Sequence, residues 1–187
     1  MSPSPLRPWW RVGAVGLLLC MAAAAWAHKP SDSYLAVTVQ GQQLSGQWDI
    51  ALRDLDFAIG LDADGNGEIT WGEVRTHHAD IAAYALARLA VEGDGQPCVV
   101  RAGEQLVDRH TDGAYTVIPL QLSCPNTPAQ LRLTYRLFAD LDPQHRGLLR
   151  LQAQGQSSAA VLGPAAPTQA FDLAQPSRFG QFCRARS

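Results

Sequence analysis

The chain has no P-loop, no GxSxG elbow, no HExxH helix and no internal repeat, so the familiar signatures of nucleotide binding, serine hydrolysis and zinc proteolysis are missing. It also lacks a CxxC pair and any cysteine–histidine cluster, which argues against a structural zinc site. Positive charge is scarce. All 17 acidic residues follow residue 27, but Arg7 and Arg11 precede it, leaving 13 of the 15 basic residues and a net charge of −4 (13 minus 17). Nucleic acid is therefore not an expected partner. Beyond one N-terminal run, nothing approaches the ~18 to 20 apolar residues a membrane helix needs, so no membrane span is expected after it.

That N-terminal run extends from Val12 to Ala25 behind Arg7 and Arg11, and Ala25-Trp26-Ala27 offers small residues at the two positions a signal peptidase reads. Residues 1–27 read as a signal peptide, and the expected location is periplasmic or secreted. The mature chain would begin at His28 and run 160 residues (187 minus 27), enough for one domain with a sizeable core. We assign that domain to residues 28–175 and expect 176–187 to be a disordered or truncated tail. Export implies an oxidising compartment. Cys98 begins one apolar run and Cys124 ends another, which suits a disulfide between neighbouring strands, with Cys183 left unpaired.

The most informative stretch is Asp62 to Glu73, DADGNGEITWGE. Oxygen-bearing side chains stand at positions 1, 3, 5, 9 and 12 (Asp62, Asp64, Asn66, Thr70, Glu73), with Gly67 at position 6. This is the spacing of an EF-hand calcium loop. A hard divalent cation wants six to eight oxygens. Asp62, Asp64 and Asn66 would supply side-chain ligands, Glu68 its peptide carbonyl, Thr70 a direct or water-mediated contact, and Glu73 both carboxylate oxygens. Gly67 permits the sharp turn there. Ile69, at position 8, would normally pair as a short strand with a second such loop. No second loop is present, so the hand is expected to be solitary and completed by another part of the chain.

Around this loop, the incoming helix begins near Arg53, with Phe57, Ala58 and Leu61 on its apolar face. The outgoing helix is expected to run from Gly72 to about Val91, with Val74, Ile81, Ala82, Ala85 and Leu89 on one stripe before Gly93 stops it. Ser33–Gln40 and Leu44–Ile50 alternate as a β-hairpin around Gly41. Later strands are expected at 98–101, 105–109, 114–122, 130–138 and 147–153, with a last one at 170–173. The expected fold class is α+β: an antiparallel β-sandwich-like body with an inserted helix-loop-helix EF-hand at 53–91.

Cleavage before His28 would place an α-amine and an imidazole on one residue, a pair that chelates Cu²⁺ or Ni²⁺. A tight site there needs a further ligand from His77, His78, His110 or His145. This gives the alternative function, a periplasmic nickel or copper binding and delivery accessory. Asp54/Asp56 and Asp140/Asp142 pair carboxylates without a nucleophile or oxyanion arrangement, and they read as helix-start and turn residues. No enzyme activity is expected.

The stretches HKPSDSYL (28–35), GQWDIALRDLDFAIGLDADGNGEITWGE (46–73), AAYALARL (82–89), VDRHTDGAY (107–115) and LDPQHRGLLRL (141–151) together resemble the extracytoplasmic N-terminal domain of HupE/UreJ-like membrane proteins. The resemblance implies calcium ligands at Asp62, Asp64, Asn66, Glu68, Thr70 and Glu73. It also implies a membrane-protein partner. In that family a bundle of membrane helices follows the domain, and some members are linked to nickel supply. Ser187 ends this sequence without such a bundle, so the expectation is a stand-alone version or a shortened reading frame, and permease activity is not carried over.

Overall fold

The computed structural model describes residues 32–174. The expected signal peptide, His28, Cys183 and the tail from residue 176 lie outside the described residues.

Strict alternation of apolar and polar side chains makes β1 (Asp32–Gln40) and β2 (Gln43–Ala51) an antiparallel hairpin, with Tyr34 opposite Asp49 and Val37 opposite Gly46. The chain then turns helical through α1 (Leu52–Ile59), α2 (Trp71–Thr76) and α3 (His78–Leu86). Nine elements follow: β3 (Leu89–Gly93), β4 (Gln96–Pro97), β5 (Val99–Ala102), β6 (Leu106–His110), β7 (Gly113–Ser123), β8 (Gln130–Tyr135), β9 (Arg146–Ala153), β10 (Gln156–Leu162) and β11 (Thr168–Asp172). They form two sheets. The larger runs β10-β9-β1-β2-β7-β5, with β6 also on β7, and the smaller runs β11-β8-β3-β4. This is the expected mixed α+β class with largely antiparallel sheets. The exception is β1 with β9, which pair in parallel, Asp32 opposite Arg146.

Leu35, Val37, Trp48 and Ile50 of the large sheet meet Leu89, Val91, Leu131, Leu133 and Tyr135 of the small one, and Leu55, Val74, Ile81 and Ala85 add the helices to the same cluster. The Trp48 and Tyr135 rings lie 5.6 Å apart across the sheets. Their polar atoms share one buried network. Trp48 Nε1 donates to Ser33 Oγ at 3.2 Å, Ser33 Oγ and Tyr135 OH lie 2.7 Å apart, and Tyr135 OH is 2.5 Å from His145 Nε2. Each of these four side chains has a partner in the network, as a low-dielectric interior requires.

Cys98 and Cys124 form the expected disulfide, Cα atoms 4.2 Å apart. They flank the paired strands β5 and β7, where Val99 stands opposite Ser123.

Several expectations need correction. The outgoing helix does not reach Val91. It is broken at His77 (φ −90°, ψ 12°) and ends at Leu86, because Leu89 and Val91 pair with Tyr135 and Leu133 as strand β3. The helical part of the 53–91 segment thus ends well short of residue 91. The strand over 130–138 stops at Tyr135, since the chain turns and Phe138 takes a positive φ of 53°. Phe57 is 78 % exposed rather than on the apolar face of α1. It lies two residues from buried Leu55, about 200° around the helix. Strands β3, β4 and β10 were not anticipated.

Candidate metal centre

Local rules shape the loop before any ion is considered. At its entry, α1 ends on Gly60, whose φ of 69° is in the left-handed region, and its N–H donates to Asp56 O. Asp56 Oδ1 then accepts from the backbone N–H groups of both Leu61 (2.7 Å) and Asp62 (2.9 Å). Leu61 is fully buried, so the first ligand position is anchored to the core from one side and to Asp56 from the other. At its exit, Thr70 is the N-cap of α2 in a reciprocal capping box. Its Oγ1 accepts from Glu73 N (3.3 Å), and Glu73 Oε2 accepts from Thr70 N (2.8 Å).

Between these anchors the side chains fold inward onto backbone donors. Asp62 accepts from Asn66 N through Oδ1 (3.1 Å) and from Gly67 N through Oδ2 (2.8 Å). Asp64 Oδ1 accepts from Asn66 N, and its Oδ2 takes the Asn66 side-chain amide at 2.9 Å. Asn66 Oδ1 accepts from Glu68 N (2.7 Å), and Glu73 Oε1 from Ala63 N (2.9 Å). Gly67 (φ 83°) supplies the turn that aims these amides inward.

As a result Asp62, Asp64 and Glu73 each present a ligand oxygen, all within 4.8 Å of one another. Calcium–oxygen contacts of 2.3–2.6 Å make a shell roughly 5 Å across, so the spacing fits one ion. The carboxylates are also ready to bind. The Gly67 N–H holds the Asp62 carboxyl below the usual carboxylate range, and the Thr70 N–H does the same for Glu73. Ionised carboxylate oxygens form a hard donor set suited to calcium, whereas Asn66 turns its amide nitrogen to Asp64 and its oxygen to the Glu68 N–H. Asn66 and Thr70 reach the cluster through Asp64 and Glu73 respectively. Glu68 is exposed, with its N–H on Asn66.

Ile69 forms no strand, and it packs half-buried against the core. Gly67 and Ile69 border a cleft of about 200 Å³ whose other wall is Asp112–Tyr115, around the β6–β7 turn. Sequence reading missed the role of Asp56, taken only as a helix-start residue. The signal for Asp56 was its place six residues before the first ligand.

Among the described residues, no other group of three histidine, cysteine, aspartate or glutamate side chains comes together. His77 Nδ1 lies 3.2 Å from Asp80, His110 Nε2 lies 3.3 Å from Asp49, and His145 is buried on Tyr135. Comparison with known proteins finds no matching family model and no matching curated sequence. No helix among the described residues is long and apolar enough to cross a membrane.

Proposed function

We propose that this chain is an exported calcium-binding domain whose single EF-hand acts mainly to hold its own fold. One observation carries the reading: three carboxylates at positions 1, 3 and 12 of an EF-hand spacing converge within 4.8 Å on a loop tied at both ends to the folded body. The disulfide is in keeping with an oxidising compartment. The sequence resemblance to HupE/UreJ-like extracytoplasmic domains supports export and suggests a membrane-protein partner.

The test is a calorimetric titration of the chain from His28 onward, after chelator treatment. Calcium should bind once per chain with Kd on the order of 10⁻⁴ to 10⁻³ M, the range of extracellular modules, and magnesium more weakly because it dehydrates reluctantly. No calcium heat across that range refutes the reading. Copper and nickel run alongside test the alternative at His28. Tight binding that vanishes when one residue is added before His28, with calcium binding unchanged, would establish a terminal chelate.

A further inference from the structure

The outer face of the large sheet is not a plain solvated surface. Across β10, β9, β1 and β2 it sinks into a groove of about 400 Å³, within the size range of small-molecule sites. Its walls are mostly apolar, from the Tyr34 ring, Ala36, Leu148 and Ala159, and opposite charges, Asp49 and Arg150, line it as well.

These two charges do not serve the fold as an ion pair. Asp49 is 8 % exposed, takes the Gln47 amide on Oδ1 at 2.8 Å and, among the described residues, has only His110 Nε2, 3.3 Å from Oδ2, as a potential cation. A carboxylate so far withdrawn from water is stable only with good partners, and a ligand cation would supply a stronger one. Tyr34 adds an aromatic ring to the same groove, an environment that favours an ammonium group. Arg150 has no ion-pair partner among the described residues, and its guanidinium is suited to forking around a carboxylate.

The strand register sets their spacing. Arg150 stands opposite Ala36, Ala36 opposite Gln47, and Asp49 lies two residues beyond Gln47. Two inter-strand steps of ~4.8 Å and one two-residue step of ~6.8 Å separate the Cα atoms by about 12 Å. The long arginine side chain covers part of that distance, leaving a gap close to the ~7 Å span of an extended two-residue chain. We infer that this groove binds a short zwitterionic peptide of dipeptide size, its α-ammonium at Asp49 and its terminal carboxylate at Arg150. Small apolar side chains would rest on Ala36 and Leu148.

The test is a titration of ¹⁵N-labelled chain with L-alanyl-L-alanine, its N-acetyl derivative and its C-terminal amide, followed by amide chemical shifts. Saturable shifts at Tyr34, Ala36 and Leu148 are expected, with affinity falling at least tenfold for either blocked derivative. Arg150→Gln, an exposed change that leaves the fold intact, should weaken the free dipeptide tenfold and leave the amide derivative unaffected. Asp49→Asn should do the converse with the N-acetyl derivative. Should that variant fail to fold, the N-acetyl derivative on the unaltered chain tests the same contact. No saturable shift up to about 10 mM, roughly tenfold above the Kd of ~1 mM expected of so small a ligand, overturns the inference. Equal affinity for the blocked derivatives overturns it too.

Discussion

Replacing Glu73 with Gln keeps an acceptor three residues beyond Thr70 but removes its charge, whereas Glu73→Ala removes both. In the fold, Glu73 accepts from Ala63 N, Thr70 N and Thr70 Oγ1, so it ties the loop together with or without an ion. A capping box works with Glu or Gln. For a domain of this size each kcal/mol corresponds to roughly 2–4 °C in melting temperature, and losing this exposed capping contact should lower it by a few degrees at most. In chelator, Glu73→Gln should therefore melt close to the unaltered chain and Glu73→Ala a few degrees lower. Calcium at 100 times Kd adds about 2.7 kcal/mol to a folded state that alone binds it, roughly 5–11 °C on the same scale. Both variants should lose most of this increment, because neither offers the anionic bidentate ligand. Melts followed by circular dichroism, in chelator and then in tenfold calcium steps around ~1 mM, separate the two effects. If Glu73→Gln retains the full calcium shift, the assignment of Glu73 as a charged ligand is wrong. If the unaltered chain ignores calcium, the site itself is absent.

Removing the disulfide by Cys98→Ala with Cys124→Ala opens a loop spanning a separation of 26 residues, which in the chain-entropy model costs about 3.5 kcal/mol; denaturant unfolding should show it, and non-reducing peptide mapping should show no bridge to Cys183. His145 is pushed below its ordinary pKa by burial, so the unfolded chain takes up its proton first as pH falls below ~6.5, and folding stability should decline from there toward the lower folded value. His145→Gln should flatten that decline in urea melts at several pH values. A Cβ at Gly147 would lie 2.7 Å from the Tyr135 ring, so Gly147→Ala should destabilise the fold by about 1–3 kcal/mol, read as a lower urea midpoint; an unchanged midpoint would show that the ring can move aside.

The convergence of Asp62, Asp64 and Glu73 was legible because it is local, each side chain being fixed by bonds to backbone within ten residues. Strands β1, β2, β5 to β9 and β11 were legible at least in part from alternation and turn residues. What escaped was decided by distant partners or by turn chemistry passed over. Leu89 and Val91 continue the helical stripe as well as they fit a strand, and only pairing with Leu133 and Tyr135 chooses between the two. The Asp94-Gly95 turn, with φ of 51° and 77°, was a readable hairpin signal for β3 and β4, and Gln154-Gly155 was a weaker one for β10. In β10 only Leu162 is buried, so its Ser and Ala residues carried little pattern. The groove on the outer sheet face was invisible, because Arg150 and Asp49 meet only through the register of three strands.

The parallel pairing of β1 with β9 has a consequence for how the chain acquires its structure. Asp32 and Arg146 are 114 residues apart in sequence, yet they close one end of the large sheet with two hydrogen bonds of 2.9 and 3.1 Å. A chain emerging N-terminus first can zip β1 onto β2 at once, but the other edge of β1 stays bare until β9 arrives. Closing so long a loop is entropically costly, and topologies dominated by distant contacts fold slowly. During that interval the backbone edge of β1 and the inner side chains Leu35 and Val37 lack their final cover, which exposes the chain to mispairing with its neighbours. Slow closure of this kind also keeps a chain open long enough to be threaded through a pore before it locks.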